Sequence, residues 1–397
     1  MVKLVKIVIG ANYGDEGKGE ATAYFANIAQ KENLKCLNIL FNGGPQRGHT
    51  VELASGFRHV FHHFGAGTVF DADTYFDKTF MVNPMTFAEE WYELDAKNVT
   101  PHLFIHPSCR VTTPYDMMIN QIVELSRDKN KHGSCGYGIW ETQKRYEDGK
   151  YAYTYQQLFN LPFDEFLNYL KNIRTIYLPQ RLRFYNIEMA DIPKEYRFLF
   201  NEDTCLEIDN GFIHDFNFMA LKCHCKPFHM IVDNYEYLIY EGGQGLALDA
   251  DNVPMKPYVT ASNTGALFPI ERISSYVQPD RHNTEIVYVT RSYFTRHGAG
   301  PLPTECEKSD IGNIGIDKTN QPNMWQNTIR YGKFNWTEMN ERIRMDIQKV
   351  LSVSCLFTQS LMVTHCNEVE MDAWMDEWAK HRYISSSPYP NEIECVK

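Results

Sequence analysis

The sequence predicts an α/β protein with a mainly parallel central sheet, flanking helices and a helical subdomain. Three observations predict it. Short apolar runs repeatedly close on glycine-rich turns, as in "KIVIGANYGDEG" and "NILFNGGPQRGHT". Segments with helical spacing alternate with those runs, the pattern of strand, loop and helix that builds parallel sheets. The stretch 145 to 230 has helical spacing, many aromatic and charged residues, and no glycine-rich turn among them.

Taken in order, residues 3 to 10 alternate and then run apolar as a buried strand, and "KGEATAYFANIAQKEN" follows with Ala21, Phe25, Ile28 and Ala29 on one helical face. "LKCLNILFN" is a second strand entering a second glycine loop, so two loops end neighbouring strands and outline a ligand site at their carboxyl ends. Helical patterns near 84 to 97 and 113 to 128 flank the apolar run "PHLFIH", and a polar glycine turn, "HGSCGYGI", follows. Strand signals return at "EYLIYEGGQG" and "TEIVYVTRSYFTRHGAGPLPTE". A helix "NWTEMNERIRMDIQKVL", capped by Asn335 or Thr337, precedes the strand "SLMVTHC", an acidic helix "EMDAWMDEWAKH" and a short edge "RYISSSP". The chain thus reads as one domain over 1–397, with the helical subdomain at about 145–230 and a C-terminal part at about 333–397.

With 397 residues and 43% of them hydrophobic, the chain can bury a sizeable core. Its net charge of -11 and lack of a basic run argue against a nucleic-acid or membrane-surface binder. The N-terminus has no signal-peptide pattern and no stretch is long enough to span a bilayer, so the expectation is a cytoplasmic protein. Ten scattered cysteines read as free thiols. "CHCKPFH" (Cys223, His224, Cys225, His229) could hold zinc, but no second cysteine pair stands at finger spacing, so surface and core roles are favoured.

The first loop is unusual. A phosphate loop of the Walker type places Ser or Thr after its Gly-Lys pair, whereas here Lys18 is followed by Gly19, and Asp15 and Glu16 sit where phosphates should lie. That placement raises the question of what an acid does where phosphates should lie. Structurally, an Asp in a glycine turn more often just shapes the turn.

Five motifs in one order resemble the adenylosuccinate synthetase family. They are "GDEGKGE" (14–20) for the family's "GDEGKGK", "GGPQRGHT" (43–50) for "GGxNAGHT", "GSCGYGIWE" (133–141) for "GTTGRGIGP", "EGGQGLALDADNVPMKPYVTASNT" (241–264) for "EGAQGxLLDxDxGxYPYVTSSNT", and "FTRHGAGPLPTE" (294–305) for "STRVGAGPFPTE". The resemblance implies a carbon–nitrogen ligase that phosphorylates a purine 6-oxo group and then lets L-aspartate displace the phosphate. By resemblance Asp15 is the base and, with Gly48, a Mg²⁺ ligand, while His49 donates to the transferring phosphoryl group. The triphosphate would lie on Asp15, Glu16, Gly17, Lys18, Gly19, Gly48, His49 and Thr50, with Thr364, Asn367 and Ser386 around its base. The purine monophosphate would meet Gln46, Ser134, Gln244, Thr260 and Arg145. The last corresponds to an arginine supplied by a partner subunit, which implies a homodimer. Thr328 and Arg330 close the loop that would hold aspartate, "TNQPNMWQNTIRYG" (319–332), which keeps one arginine of the family's "TTGRRRRTG".

Two departures point to a branch. The family's "TKLD" is "THCN" (364–367) here, and Asn367, with one acceptor and one donor, suits adenine better than guanine, so ATP or dATP is the expected donor. Gln46 and Arg47 replace the family's Asn and Ala. These features resemble the viral 2-aminoadenylosuccinate synthases, which implies dGMP as favoured acceptor and a host-cytoplasm setting. Retention of Asp15, often smaller in that branch, keeps IMP with GTP or ATP as the alternative, and a non-catalytic nucleotide-binding regulator is a further one.

Overall fold

The computed structural model describes residues 2–277, 282–320, 328–371 and 373–397. β1 (Leu4–Gly10) leads through the first glycine loop into α1 (Lys18–Lys31), β2 (Cys36–Leu40) and a hairpin of β3 (His49–Glu52) and β4 (Arg58–Phe61). β5 (Asp73–Phe76), β6 (Met81–Val82), α2 (Pro84–Asp95), β7 (Leu103–Ile105), β8 (Arg110–Val111) and α3 (Pro114–Ser126) follow. The helical part comprises α4 (Ile139–Asp148), α5 (Tyr155–Phe159), α6 (Phe163–Asn172), α7 (Leu178–Phe184) and α8 (Glu202–Lys222). The chain then returns through β9 (Cys223–Cys225) and β10 (Tyr237–Gly245) to α9 (Leu267–Tyr276) and β11 (Asn283–Arg291). β12 (Phe294–Arg296), β13 (Glu305–Cys306), β14 (Arg330–Gly332), α10 (Trp336–Val350), β15 (Thr358–Thr364), β16 (Arg382–Ile384) and β17 (Glu394–Cys395) complete it.

Ten strands form the main sheet in the order β17-β16-β15-β11-β1-β10-β2-β5-β7-β9. All its pairings are parallel except β16 with β17. The expected α/β architecture is therefore present, and the central strands are mostly apolar and buried because helices cover both faces. One apolar cluster joins α2, α3 and the helices beyond residue 150 to the sheet, a second lies under α9 and α10, and a third lies beneath α1.

Four details differ from the sequence reading. β1 and β2 are not neighbours: β10 lies between them, which puts a third glycine turn on the same edge. "TEIVYVTRSYFTR" breaks at Ser292–Tyr293 into β11 and β12, which belong to different sheets. "RYISSSP" is not the edge, since β17 pairs outside β16. The acidic helix expected over 370–381 is absent from the described residues, because side chains of α10 claim the segment's backbone: Trp336 Nε1 donates to Ala373 O and Asn340 Nδ2 to Met375 O. The α10 cap is Asn335, whose side chain accepts from the Glu338 amide. "CHCKPFH" supplies strand β9, with the His224 ring against His102 and Phe104. Among the described residues no helix is long and apolar enough to cross a membrane.

Arg145 requires a correction. It is wholly buried, where a residue reaching across to another subunit would have to be exposed. Its Nε and Nη2 bind the Asp116 carboxylate at 2.9 and 2.8 Å, Nη1 donates to Tyr151 O and Tyr169 Oη, and Nη2 also donates to Val111 O. Asp116 in turn closes the capping box of α3 with Thr113. The pair therefore staples α4 to the start of α3, and the nucleotide role expected for Arg145 does not fit its position. Arg145→Ala would leave Asp116 buried without its counter-ion, and unfolding by denaturant should register a loss of ~3–5 kcal/mol.

Candidate functional site

Parallel strands place all their carboxyl ends on one edge, and ligands collect there. A cleft of about 1330 Å³ opens at that edge. Its walls include Asp15, Glu16, Gly17, Lys18 and Gly19 from the first loop and Gln46, Gly48, His49 and Thr50 from the second. Ser134, Gln244, Thr260 and Asn367 complete the expected set that lines it. Five expected residues do not line it: Arg145, Thr364, Ser386, Thr328 and Arg330.

The reasons differ. Thr364 lies just beneath the first loop, where its Oγ1 donates to Glu16 O at 3.1 Å. Ser386 is exposed, and Ser387 takes its place on the wall. Arg330 spends its guanidinium on the Glu305 carboxylate and on the carbonyls of Gly298 and Gly300, which makes it a clamp on the 298–300 turn rather than a free cation. Thr328 is exposed, and residues 321–327 of the expected aspartate loop lie outside the described residues.

The first loop sorts its two acids. Glu16 folds inward: its Oε1 accepts from the Asn12 amide and its Oε2 lies 3.8 Å from Lys18 Nζ, with both side chains buried. Burial pushes the Glu16 carboxyl up to about 7 and the Lys18 ammonium down, each partly held by the other. Asp15 instead adopts φ 46, a left-handed conformation that turns its side chain into the cleft. Gly17, at φ 88, caps α1 without a side-chain acceptor, so the first amides of the helix remain available to an anion. Gly19 must lack a side chain, because a Cβ there would stand 2.8 Å from the His49 backbone.

His49 begins β3, and its Nδ1 bonds the wholly buried carboxylate of Glu241 in the middle of β10. Burial raises Glu241, but Arg47 and His49 overrule it and leave the carboxyl below its usual range. Glu241 also accepts from the Ala66 amide at 3.0 Å, and Arg47 Nη2 lies 3.8 Å away. Burial pushes His49 down to about 4 against the pull of Glu241. The ring is then neutral at pH 7, with Nδ1–H fixed on Glu241 and Nε2 left for a ligand.

Three residues of the site were missed by sequence reasoning: Glu241, Arg291 and His297. Arg291 ends β11, donates through Nε to Asp15 O and stands 3.5 Å from Asp317. His297 Nε2 lies 3.4 Å from Asp15 Oδ2. A charged residue at the carboxyl end of an apolar strand run was the available signal for Glu241 and Arg291. For His297 it was the replacement of a valine between a matching Thr-Arg and a matching Gly-Ala-Gly-Pro.

Glu20 lies one turn further along α1, where the resembling motif has lysine. It is buried and accepts from Ser385 Oγ at 2.6 Å, and burial pushes it up to about 7. A carboxyl raised in the folded state binds more protons folded than unfolded, so its contribution is favourable at low pH and is lost as pH rises from about 4.5 to 7. Glu20→Gln removes that loss. At pH 8 the variant should be more stable than the parent, by up to ~3 kcal/mol, with a flatter stability profile between pH 4.5 and 7 in thermal melts.

Comparison with known proteins identifies the family and the fold. Residues 7–339 match the family model of adenylosuccinate synthetase. The adenylosuccinate synthetase of Trichodesmium erythraeum is 28% identical over 318 residues, covering 79% of this chain, which spans 66% of that relative's length. The fully ligated adenylosuccinate synthetase structure from Plasmodium falciparum superposes with TM-score 0.60 at 19% identity, over 90% of this chain and 76% of that one. The cyanophage S-2L succinoaminodeoxyadenylate synthetase, bound to dGMP and dATP as an energy donor, superposes with TM-score 0.61 at 14% identity, over 100% of this chain and 96% of that one. With one loop-and-sheet framework running through its matched length, the chain belongs to the adenylosuccinate synthetase family.

Proposed function

We propose that the protein is a ligase that joins L-aspartate to C6 of a purine nucleoside monophosphate, favouring dGMP, with ATP or dATP as phosphoryl donor. The observation that carries the reading is the sorting of acids in the first loop: Glu16 is spent on structure, while Asp15 faces the cleft between the amides of α1 and His49. A protein that only binds nucleotide has no need of a base beside the purine ring.

In this reading Asp15 takes the proton from purine N1, and electron density moves to O6, which attacks the γ-phosphorus as the diphosphate leaves. The α1 amides and Lys18 hold the phosphate oxygens. His49, held by Glu241, presents Nε2 to the transferring group, and a bound polyanion favours protonation of that ring. The amine of aspartate then displaces phosphate from C6. The donor set suits Mg²⁺: the Asp15 carboxylate and the backbone of Gly48 are hard oxygen ligands on one wall, with room for water. Such an ion would offset charge between carboxylate and phosphates. Ser134, Gln46, Gln244 and Thr260 line the same cleft for the monophosphate.

Asn367 supports adenine as the donor base, since its amide pairs an acceptor with a donor. The likeness in fold to a dGMP- and dATP-bound enzyme fits this choice. IMP as acceptor is the second reading, favoured by the retained Asp15. The chemistry also implies magnesium dependence.

A matrix of dGMP, GMP and IMP against ATP, dATP and GTP, with aspartate and Mg²⁺ and product mass as readout, tests the proposal. The expected result is a succinyl-amino purine formed best from dGMP with an adenine donor. Triphosphate binding with no aspartate-dependent phosphate release would refute it. Asp15→Ala should lower turnover by at least ~10²-fold, and near-normal turnover in that variant would remove the residue from the chemistry.

A further inference from the structure

Glu20 lies on the wall of the cleft and keeps 8% of its surface exposed. Among the described residues no cation faces its carboxyl, so nothing in the fold offsets the cost of burying it. Its hydrogen bond, between Oε1 and Ser385 Oγ at 2.6 Å, ties it to the segment that follows β16. The Ser385 amide donates to Val363 O at 2.9 Å and its carbonyl accepts from the Cys366 amide at 3.0 Å, which laces the ends of β15 and β16 together beside Glu20. Those two ends bring Asn367, Ser387 and Pro388 to the same cleft wall, where the donor base belongs in the reading above.

The free oxygen of Glu20 is an acceptor in either charge state. Ser385 Oγ also lies 2.9 Å from Ser387 O. When the carboxyl is ionised, the serine hydroxyl donates to Oε1. When it is neutral, Oε1–H donates to Oγ and the serine hydrogen turns to Ser387 O. Either way the proton is used on the Oε1 side, and Oε2, which makes no hydrogen bond among the described residues, is left to accept.

We propose that Glu20 is a specificity residue that accepts the 6-amino group of an adenine donor through Oε2. The inference rests on the reading above, in which an adenine nucleotide supplies the phosphoryl group. The amino group carries two hydrogens. Asn367 takes the one beside N1, and the other points away from it, toward a second acceptor. Guanine and hypoxanthine carry a carbonyl oxygen at that place, which would meet Oε2 acceptor to acceptor and leave both unpaired. The lysine of the resembling motif can only donate, so glutamate at this position inverts the hydrogen-bond sense and favours an amino group over a carbonyl.

The test is calorimetric titration of ATP, GTP and inosine triphosphate, each with Mg²⁺ and without acceptor or aspartate, into the full chain, Glu20→Gln and Glu20→Ala. Thermal melts confirm folding. Inosine triphosphate differs from ATP only at the 6-substituent and N1. The parent should bind ATP about ten- to a hundredfold more tightly than inosine triphosphate. Glu20→Gln, whose amide presents a donor as readily as an acceptor, should cut that ratio by about fivefold or more through tighter binding of the two carbonyl bases. Glu20→Ala should cut it through weaker binding of ATP. An unchanged ratio in the folded variants overturns the inference, as does an equal loss for all three nucleotides, which would assign Glu20 to the sugar, the phosphates or the fold. A parent that prefers GTP overturns the inference together with the adenine-donor reading. The ratios come from binding alone, so a chain whose ratio shifts as expected yet forms no succinyl product would refute the ligase reading and uphold the inference.

Discussion

The closure of the first loop by Glu16 is the constraint on which the site depends. A seven-residue connection from β1 to α1 cannot hold its amides outward unless something inside the turn satisfies its own backbone. Glu16 does so by accepting from the Asn12 amide, and Lys18 stands behind it as counter-ion. Two outer contacts fix the other side: Arg291 donates to Asp15 O, and Thr364 Oγ1 donates to Glu16 O. These come from the ends of β11 and β15, so the loop is held by the strands on its far side as well as by its own residues. Asp15, held at φ 46, is left with its carboxylate in the cleft.

Charge around this loop is balanced in layers. Arg47, Glu241 and His49 form a buried row in which the carboxylate lies between the arginine and the imidazole. Arg47 is anchored independently by the carbonyls of His62 and Phe64, so its charge is held in place whether or not a ligand is bound. A neutral His49 in such a row is a proton acceptor in waiting, and an arriving phosphate supplies the negative potential that favours the imidazolium. Arg296 is a contrasting case: buried, and bonded among the described residues to carbonyls and a thioether, it is pushed by burial down to about 10, with Arg330 and Arg342 nearby adding to the effect.

Much of the site was legible because glycine turns and apolar runs are local signals. The first and second loops, Ser134, Gln244, Thr260 and Asn367 all reach the cleft as the motif order implied. Arg145 and Arg330 were misread for one reason. An arginine in a polar helix or loop looks like a free cation in sequence, and only its neighbours reveal that Asp116 or Glu305 has already claimed it. The acidic segment 370–381 failed similarly, since its helical spacing was outweighed by hydrogen bonds from Trp336 and Asn340 to its carbonyls.

The sequence by itself determined the α/β class, the loops that line the cleft and the family, because these rest on spacing between near neighbours along the chain. The tertiary structure decided which strands stand side by side, putting β10 and its Glu241 between the two loops. It also decided which charges are paired, setting His49 on Glu241 and Asp15 beside His297. Those outcomes depend on contacts between residues up to hundreds of positions apart, where burial and the need to satisfy each charge select the partner, and no local pattern encodes that selection.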